Sequence, residues 1–300
     1  MQIGTTQIED TFAEAFAMWG TRVLVTASSA EWALAAAQSM TGFATSVIGC
    51  KCEAGIEREL GPAETPDGRP GTSVLLFAMD KASLAKRLVE RIGQCVMTCP
   101  TTACFSGLNS EHGVSVGGKL RYFGDGYQIS KKLADQRMWR IPVMDGEFLV
   151  QDRFGIQPAV GGGNLILCGV NNTVTVAAAA AAVSAMRSLA DVALPFPGGV
   201  VRSGSKVGSR YKSLPASTND AFCPTLKAVA AKSSIGADIN CVLEIVIDGL
   251  TEAAVRSAMR VGMSAAARPG LATISAGNYG GNLGQYQIRL HSLVDGGVAP

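Results

Sequence analysis

The sequence predicts an α+β protein of two ferredoxin-like α/β sandwich lobes with mainly antiparallel sheets, over residues 1–145 and 146–300. Short apolar strand patterns alternate with amphipathic helical patterns through both halves. Each half carries its own mixed set of strands and helices, and Asp145-Gly146 marks a turn between them. A chain of 300 residues with 47% apolar content supplies core for one large domain or two ordinary ones.

In the first half, residues 22–27 (RVLVTA) are β-branched and apolar, a strand pattern, and Ser29 is placed to cap a helix over 30–40. Residues 44–48 read as the next strand. Thr65-Pro66-Asp67-Gly68 turns the chain, 73–79 reads as a buried strand, and Asp80 caps a helix. That helix sets Leu84, Leu88 and Ile92 on one face, with Lys86, Arg87, Glu90 and Arg91 away from it. Residues 120–123 and 139–143 complete the half as strands. In the second half, 164–169 reads as a strand, 174–189 as a helix and 241–247 as a strand. Thr251 caps a helix with Val255, Met259 and Met263 inward and Glu252, Arg256 and Arg260 outward. Strands over 271–275 and 285–291 flank a glycine-rich turn. The halves share little sequence.

Composition removes several functions. Charged residues are 17%, and a formal net charge of +2 is too weak a field to draw in nucleic acid or an anionic membrane. So dilute a charge predicts that other subunits cover part of the surface. Glu9, Asp10 and Glu14 stand where a leader would be basic, and the longest apolar run, Val174 to Val183, is about half of a bilayer span. A cytoplasmic location is expected. Of the 8 cysteines, Cys50 and Cys52 form a C-x-C pair with no histidine nearby. The spacing of Cys95, Cys99 and Cys104 departs from that of ferredoxins, so buried, inert thiols and no metal are expected.

Familiar motifs are missing. Gly161-Gly162-Gly163-Asn164 leads into a strand, leaving a phosphate no helix N-terminus. Ser203 to Gly208 has the residue types of a P-loop in the wrong order, and there is no G-x-S-x-G elbow. An enzyme made from this chain is expected to work without metal, nucleotide fold or covalent nucleophile, and to survive chelation and thiol alkylation.

More specific is an ordered set of segments: 8–16 (IEDTFAEAF), 98–103 (TCPTTA), 123–127 (FGDGY), 195–201 (PFPGGVV), 203–208 (SGSKVG), 223–227 (CPTLK), 244–249 (EIVIDG) and 275–281 (SAGNYGG). Over nearly its whole length the chain resembles the formylmethanofuran–tetrahydromethanopterin formyltransferases of methanogens and C1-oxidising bacteria. The resemblance implies two tightly associated lobes, proximal-type at the N-terminus and distal-type at the C-terminus. It also implies a homotetramer with substrate clefts at subunit contacts. Hyperthermophilic members are rich in surface acid, whereas this chain is nearly neutral. That points to the methylotrophic-bacterial branch, whose formyltransferase sits in a complex with an amidohydrolase-type subunit. Arg202 departs from the small residue expected at its position.

The implied reaction moves a formyl group between two nitrogens, with methanofuran-type and tetrahydromethanopterin-type carriers as substrates and no tightly bound cofactor. Such a site must align amine and carbonyl, stabilise an oxyanion and help protonate the leaving amine. A carboxylic acid with a raised pKa suits the task. Glu244 is the lone carboxyl in CVLEIVI, on one strand face with Val242 and Val246. By itself it reads first as a solvent-facing or ion-paired strand residue; the resemblance reverses that order, because the family's proposed catalytic glutamate maps to it. Ser203, Ser205, Lys206, Gly277, Asn278 and Tyr279 are the candidate substrate contacts, with Asp125 and Tyr127 as weaker ones. Tight surface turns with a solvated lysine are the competing reading of these stretches. A non-catalytic scaffold or channelling subunit is the alternative function.

Overall fold

The computed structural model describes residues 1–133 and 135–294, so the last six residues of the expected C-terminal lobe lie outside the described ones. Its first long element is a 15-residue strand, β1 (Phe12–Thr26). There follow α1 (Ala30–Thr41), β2 (Glu53–Leu60), β3 (Gly71–Ala78), α2 (Lys81–Arg91) and β4 (Ala103–Ser106). A hairpin of β5 (Gln136–Val143) and β6 (Gly146–Gln151) adds to β4 through a parallel pairing, with Ile129–Leu133 as the outermost strand. The second set is β7 (Gln157–Gly169), α3 (Asn172–Met186), the two-residue strand Val192–Ala193, β8 (Cys241–Gly249), α4 (Glu252–Ala266), β9 (Leu271–Ser275) and β10 (Tyr286–Arg289).

The expected fold class is the observed one. In the N-terminal set the strands lie in the order β2-β3-β1-β4, all antiparallel. In the C-terminal set the order is Val192–Ala193, β8, β7, β9, again antiparallel. Both are βαββαβ units in which each helix crosses over one intervening strand. Local chemistry starts the helices where the sequence says. Ser29 accepts from Trp32 N–H at 3.4 Å, Asp80 from Ser83 N–H at 2.8 Å, and Thr251 from Ala254 N–H at 3.1 Å. Leu84, Leu88 and Ile92, and likewise Val255, Met259 and Met263, are buried as their spacing requires.

β1 crosses both lobes. Its Val23 and Val25 pack with α1 and α2, whereas Ala13 and Ala15, with Ile8 before them, lie in the core under α3 and α4. Residues 157–161 of β7 pair with Phe16–Gly20 of β1, fusing the two units into one sheet. The start of the chain thus packs in the C-terminal lobe, although the expected boundary assigned it to the other. At the junction, Arg22 bridges Glu57 at 2.7 Å and also pairs with Asp191.

Three expected strands differ. Over residues 44–48, Ser46 Oγ caps a helical turn, Val47–Cys50, by accepting from Ile48 N–H, and the strand begins only at Glu53. Residues 120–123 are helical because Leu120 N–H returns to Val116 C=O at 2.9 Å rather than crossing to a neighbour. The last strand stops at Arg289, and Leu290–Val294 is a helix. Among the described residues no helix is long and apolar enough to cross a membrane.

Candidate active site

β8 has two faces. Ile245 and Ile247 point into the core beneath α3 and α4, so Val242, Glu244 and Val246 emerge on the opposite side of the sheet. Glu244 stands opposite Ile166 of β7, and Ile166 opposite Ser275 of β9, which places the three side chains in one row. The long connection between Val192–Ala193 and β8 folds over this face. Val201 clips it to Glu244 by two backbone hydrogen bonds of 2.7 and 2.9 Å. Between them is a cleft of ≈ 360 Å³, open to solvent and walled by Ile166, Arg202, Gly204, Asn219, Cys223 and Glu244.

Burial pushes the Glu244 pKa up to about 7, with no hydrogen bond or ion pair to lower it. The carboxyl is half-buried and its proton is free to be offered to a ligand. Gly204 lies against it. A Cβ placed at residue 204 would stand 3.2 Å from Glu244 Oε2.

The other expected contacts divide. Ser203, Ser205 and Lys206 belong to the same covering segment, and Ser205–Val207 forms a small hairpin with Ala216–Thr218. Their side chains are exposed, and Lys206 Nζ is paired with Asp220 at 2.6 Å rather than free. Gly277 is held to the Glu244 face by Asn164, which accepts from its N–H at 2.5 Å and donates to its C=O at 3.1 Å. Asn278 spends its amide on Thr11 and the Phe12 carbonyl. The Tyr279 ring leans on Phe16, centroids 6.2 Å apart. Burial, then the nearby charges of Glu244 and Glu14, raises its phenol pKa.

Asp125 and Tyr127 are elsewhere. Asp125 ends a 3-10 turn with φ +51°, and Tyr127 is 79% exposed beside the outermost strand. From Ile129–Leu133 to β7 there are five strand spacings, roughly 24 Å. A single chain does not bring them to Glu244. A second depression, of ≈ 1340 Å³ between β2 and residues 192–197, is lined by none of the expected site residues.

Sequence reasoning missed Asn164, Cys223 and Glu14. Cys223 was expected to be buried and inert; it is half-buried and forms part of the cleft wall. Glu14 accepts four backbone hydrogen bonds from the 279–284 loop. Its one available signal was that of Glu244: a lone acid in an apolar stretch.

Family models decide the relationship. Residues 1–143 match the formylmethanofuran-tetrahydromethanopterin formyltransferase model, and residues 146–293 match the model described as its proximal lobe. The chain belongs to the formylmethanofuran–tetrahydromethanopterin formyltransferase family. Within the formyltransferase family, the protein of that name from Methylococcus capsulatus is 57% identical, over 98% of this chain and all of that one. Among solved structures, the formyltransferase from Methanosarcina barkeri superposes with a TM-score of 0.93 at 48% identity, covering 98% and 100% of the two chains. A chain of the formyltransferase/hydrolase complex from Methylorubrum extorquens, solved with methylofuran, gives 0.93 at 52% identity, covering 95% and 96%. The term proximal thus falls on the C-terminal lobe, the reverse of the expected labels. As a formyltransferase, the chain is a transferase enzyme that has a carboxyl with a raised pKa in the floor of its cleft.

Proposed function

We propose that the chain moves a formyl group between a formylmethanofuran-type or methylofuran-type carrier and N5 of a tetrahydromethanopterin-type carrier, with Glu244 as the proton-bearing group. The observation that carries this reading is the Glu244 carboxyl, whose pKa burial lifts to about 7 at the base of an open cleft. The pterin nitrogen attacks the formyl carbon, and a new C–N bond forms as the carbonyl becomes an oxyanion. Glu244 in its acid form donates a hydrogen bond to this oxyanion and then its proton to the departing nitrogen. As the old C–N bond breaks, the carboxylate recovers the proton lost by the attacking nitrogen. The donor nitrogen ends with N–H in place of its formyl group, the acceptor nitrogen with N-formyl in place of its N–H, and the enzyme is unchanged. Both carriers are substrates.

The working unit in this reading is a cytoplasmic homotetramer that joins further formyltransferase/hydrolase subunits, including one of amidohydrolase type. Sparse charge supports it, as do the exposed Tyr122, Phe123 and Tyr127 at one sheet edge. The test is formyl transfer by Glu244→Gln, which is expected to be slower by at least about tenfold with an unchanged Tm. A near-normal rate with an unchanged Tm would remove Glu244 from the mechanism, whereas no transfer by the parent chain would leave the non-catalytic scaffold as the better reading.

A further inference from the structure

Glu14 projects from β1 on the face opposite Ala13 and Ala15, where the 279–284 loop covers it, and is 1% exposed. Its Oε2 accepts from the N–H groups of Tyr279 at 2.6 Å and Gly281 at 2.9 Å. Its Oε1 accepts from those of Leu283 and Gly284, both at 2.6 Å. All four donors belong to the single loop joining β9 to β10. None of the ion pairs among the described residues involves Glu14. Burial works to raise its pKa, but the four backbone donors hold it below the ordinary carboxylate value. A charge balanced only by backbone dipoles is tolerated inside a protein while those dipoles stay aimed at it. The carboxylate and the loop therefore hold each other in place.

The loop is shaped for this contact. A Cβ at Gly284 would stand 2.5 Å from Ala15 O and 2.7 Å from Glu14 Cγ, so no other residue allows the approach. Phe16, two residues beyond Glu14 on β1, supports the Tyr279 ring, and Asn164 fixes the other end of the loop at Gly277. Nothing in the transfer chemistry calls for a second carboxylate here. What Glu14 controls is where the loop carrying Tyr279 stands on the sheet face shared with Glu244.

We propose that Glu14 is a positioning residue for formyl transfer: its carboxylate gathers the amides of Tyr279, Gly281, Leu283 and Gly284 and thereby fixes the Tyr279 ring on the sheet face that carries Glu244. This rests on the reading of Glu244 as the transfer site. Glutamine cannot replace it, because its NH₂ would face two N–H donors, and aspartate is one methylene too short to reach the loop.

The experiment uses the full chain in its native assembly, with formylmethanofuran and tetrahydromethanopterin as substrates. Glu14→Gln is expected to lower kcat/KM by at least about tenfold per folded enzyme. Hydrogen exchange should quicken at residues 279–284 and stay unchanged in β7 and β8. The fall in rate above neutral pH set by Glu244 should remain where it is in the parent protein. Wild-type kcat/KM, or a loss equal to the fraction unfolded, overturns the proposal. If Glu14→Gln does not fold, Gly284→Ala decides, since it displaces the same loop without removing the charge. Wild-type transfer alongside faster loop exchange would then overturn it. Failure of the underlying reading looks different: full transfer by Glu244→Gln rejects Glu244 as the site, and the role of Glu14 is then judged on Glu14→Gln alone.

Discussion

Glu53 of β2 and Asp248 of β8 bring two buried carboxyls together across the junction of the two lobes. Val47 N–H donates to Glu53 Oε1 at 3.1 Å, and Gly162 N–H to Asp248 Oδ1 at 2.9 Å. Burial first, then the Glu53 charge, raises the Asp248 pKa well above its ordinary value, so the pair keeps a proton where isolated carboxyls would lose it. Burial also raises the Glu53 pKa. Asp248 is four residues from Glu244 on the same strand, so this pair anchors the strand that carries the site.

The pH dependence of stability follows from that direction. A carboxyl whose folded pKa is raised stabilises fully below its unfolded pKa of about 4, and the contribution is lost as pH rises through the folded value. Thermal stability should therefore fall on the alkaline side. Asp248→Asn keeps a buried donor without a charge and should flatten the decline. Asp248→Ala leaves Glu53 unpartnered and should cost about 1–3 kcal/mol. Melting curves taken from acid to alkaline pH check both, and an identical slope in Asp248→Asn would remove the pair as the cause.

Activity should decline with pH for a separate reason. If Glu244 works as the acid, kcat/KM is level below its pKa of about 7 and falls roughly tenfold per unit above it. A rate profile of the parent protein beside Glu244→Gln is the measurement. A profile flat from neutral to pH 9 would assign the proton to another group.

The cleft wall offers two steric probes. Gly204→Ala brings a methyl group to within 3.2 Å of Glu244 Oε2 and should slow transfer by roughly tenfold while the fold persists. Alkylation of Cys223 should block the cleft, contrary to the expectation from sequence that thiols are irrelevant. N-ethylmaleimide should inhibit the parent protein, and Cys223→Ala should resist it. Equal inhibition of both proteins would place the sensitive thiol elsewhere.

Oligomerisation is open to direct measurement. A tetramer should persist in sedimentation at sub-micromolar concentration, because obligate contacts commonly bury more than about 2,000 Å². A fully active monomer near 31.0 kDa would reject the assembly and, with it, the placement of substrate clefts at subunit contacts.

The sequence by itself determined what short-range chemistry controls. Ser29, Asp80 and Thr251 start helices because a cap needs only the next three residues. The helical spacing of Leu84 and Leu88 or of Met259 and Met263 fixes the buried face, and Glu244 was visible as the lone acid of an apolar strand. Tertiary structure decided what depends on partners far along the chain. β1 is one strand through both lobes because residues as distant as Gln287 pair with it, and its alanine-rich first half carries no β-branched signal. Residues 120–123, whose Tyr122 and Phe123 favour a strand, curl into a turn because their N–H groups find acceptors just behind them in the chain. Lys206 took Asp220 as its partner and Glu14 took a loop some 265 residues away, neither of which any local pattern announces. A cap is a contact between near neighbours, whereas a pairing or a buried charge is settled by whichever distant group the fold delivers to it.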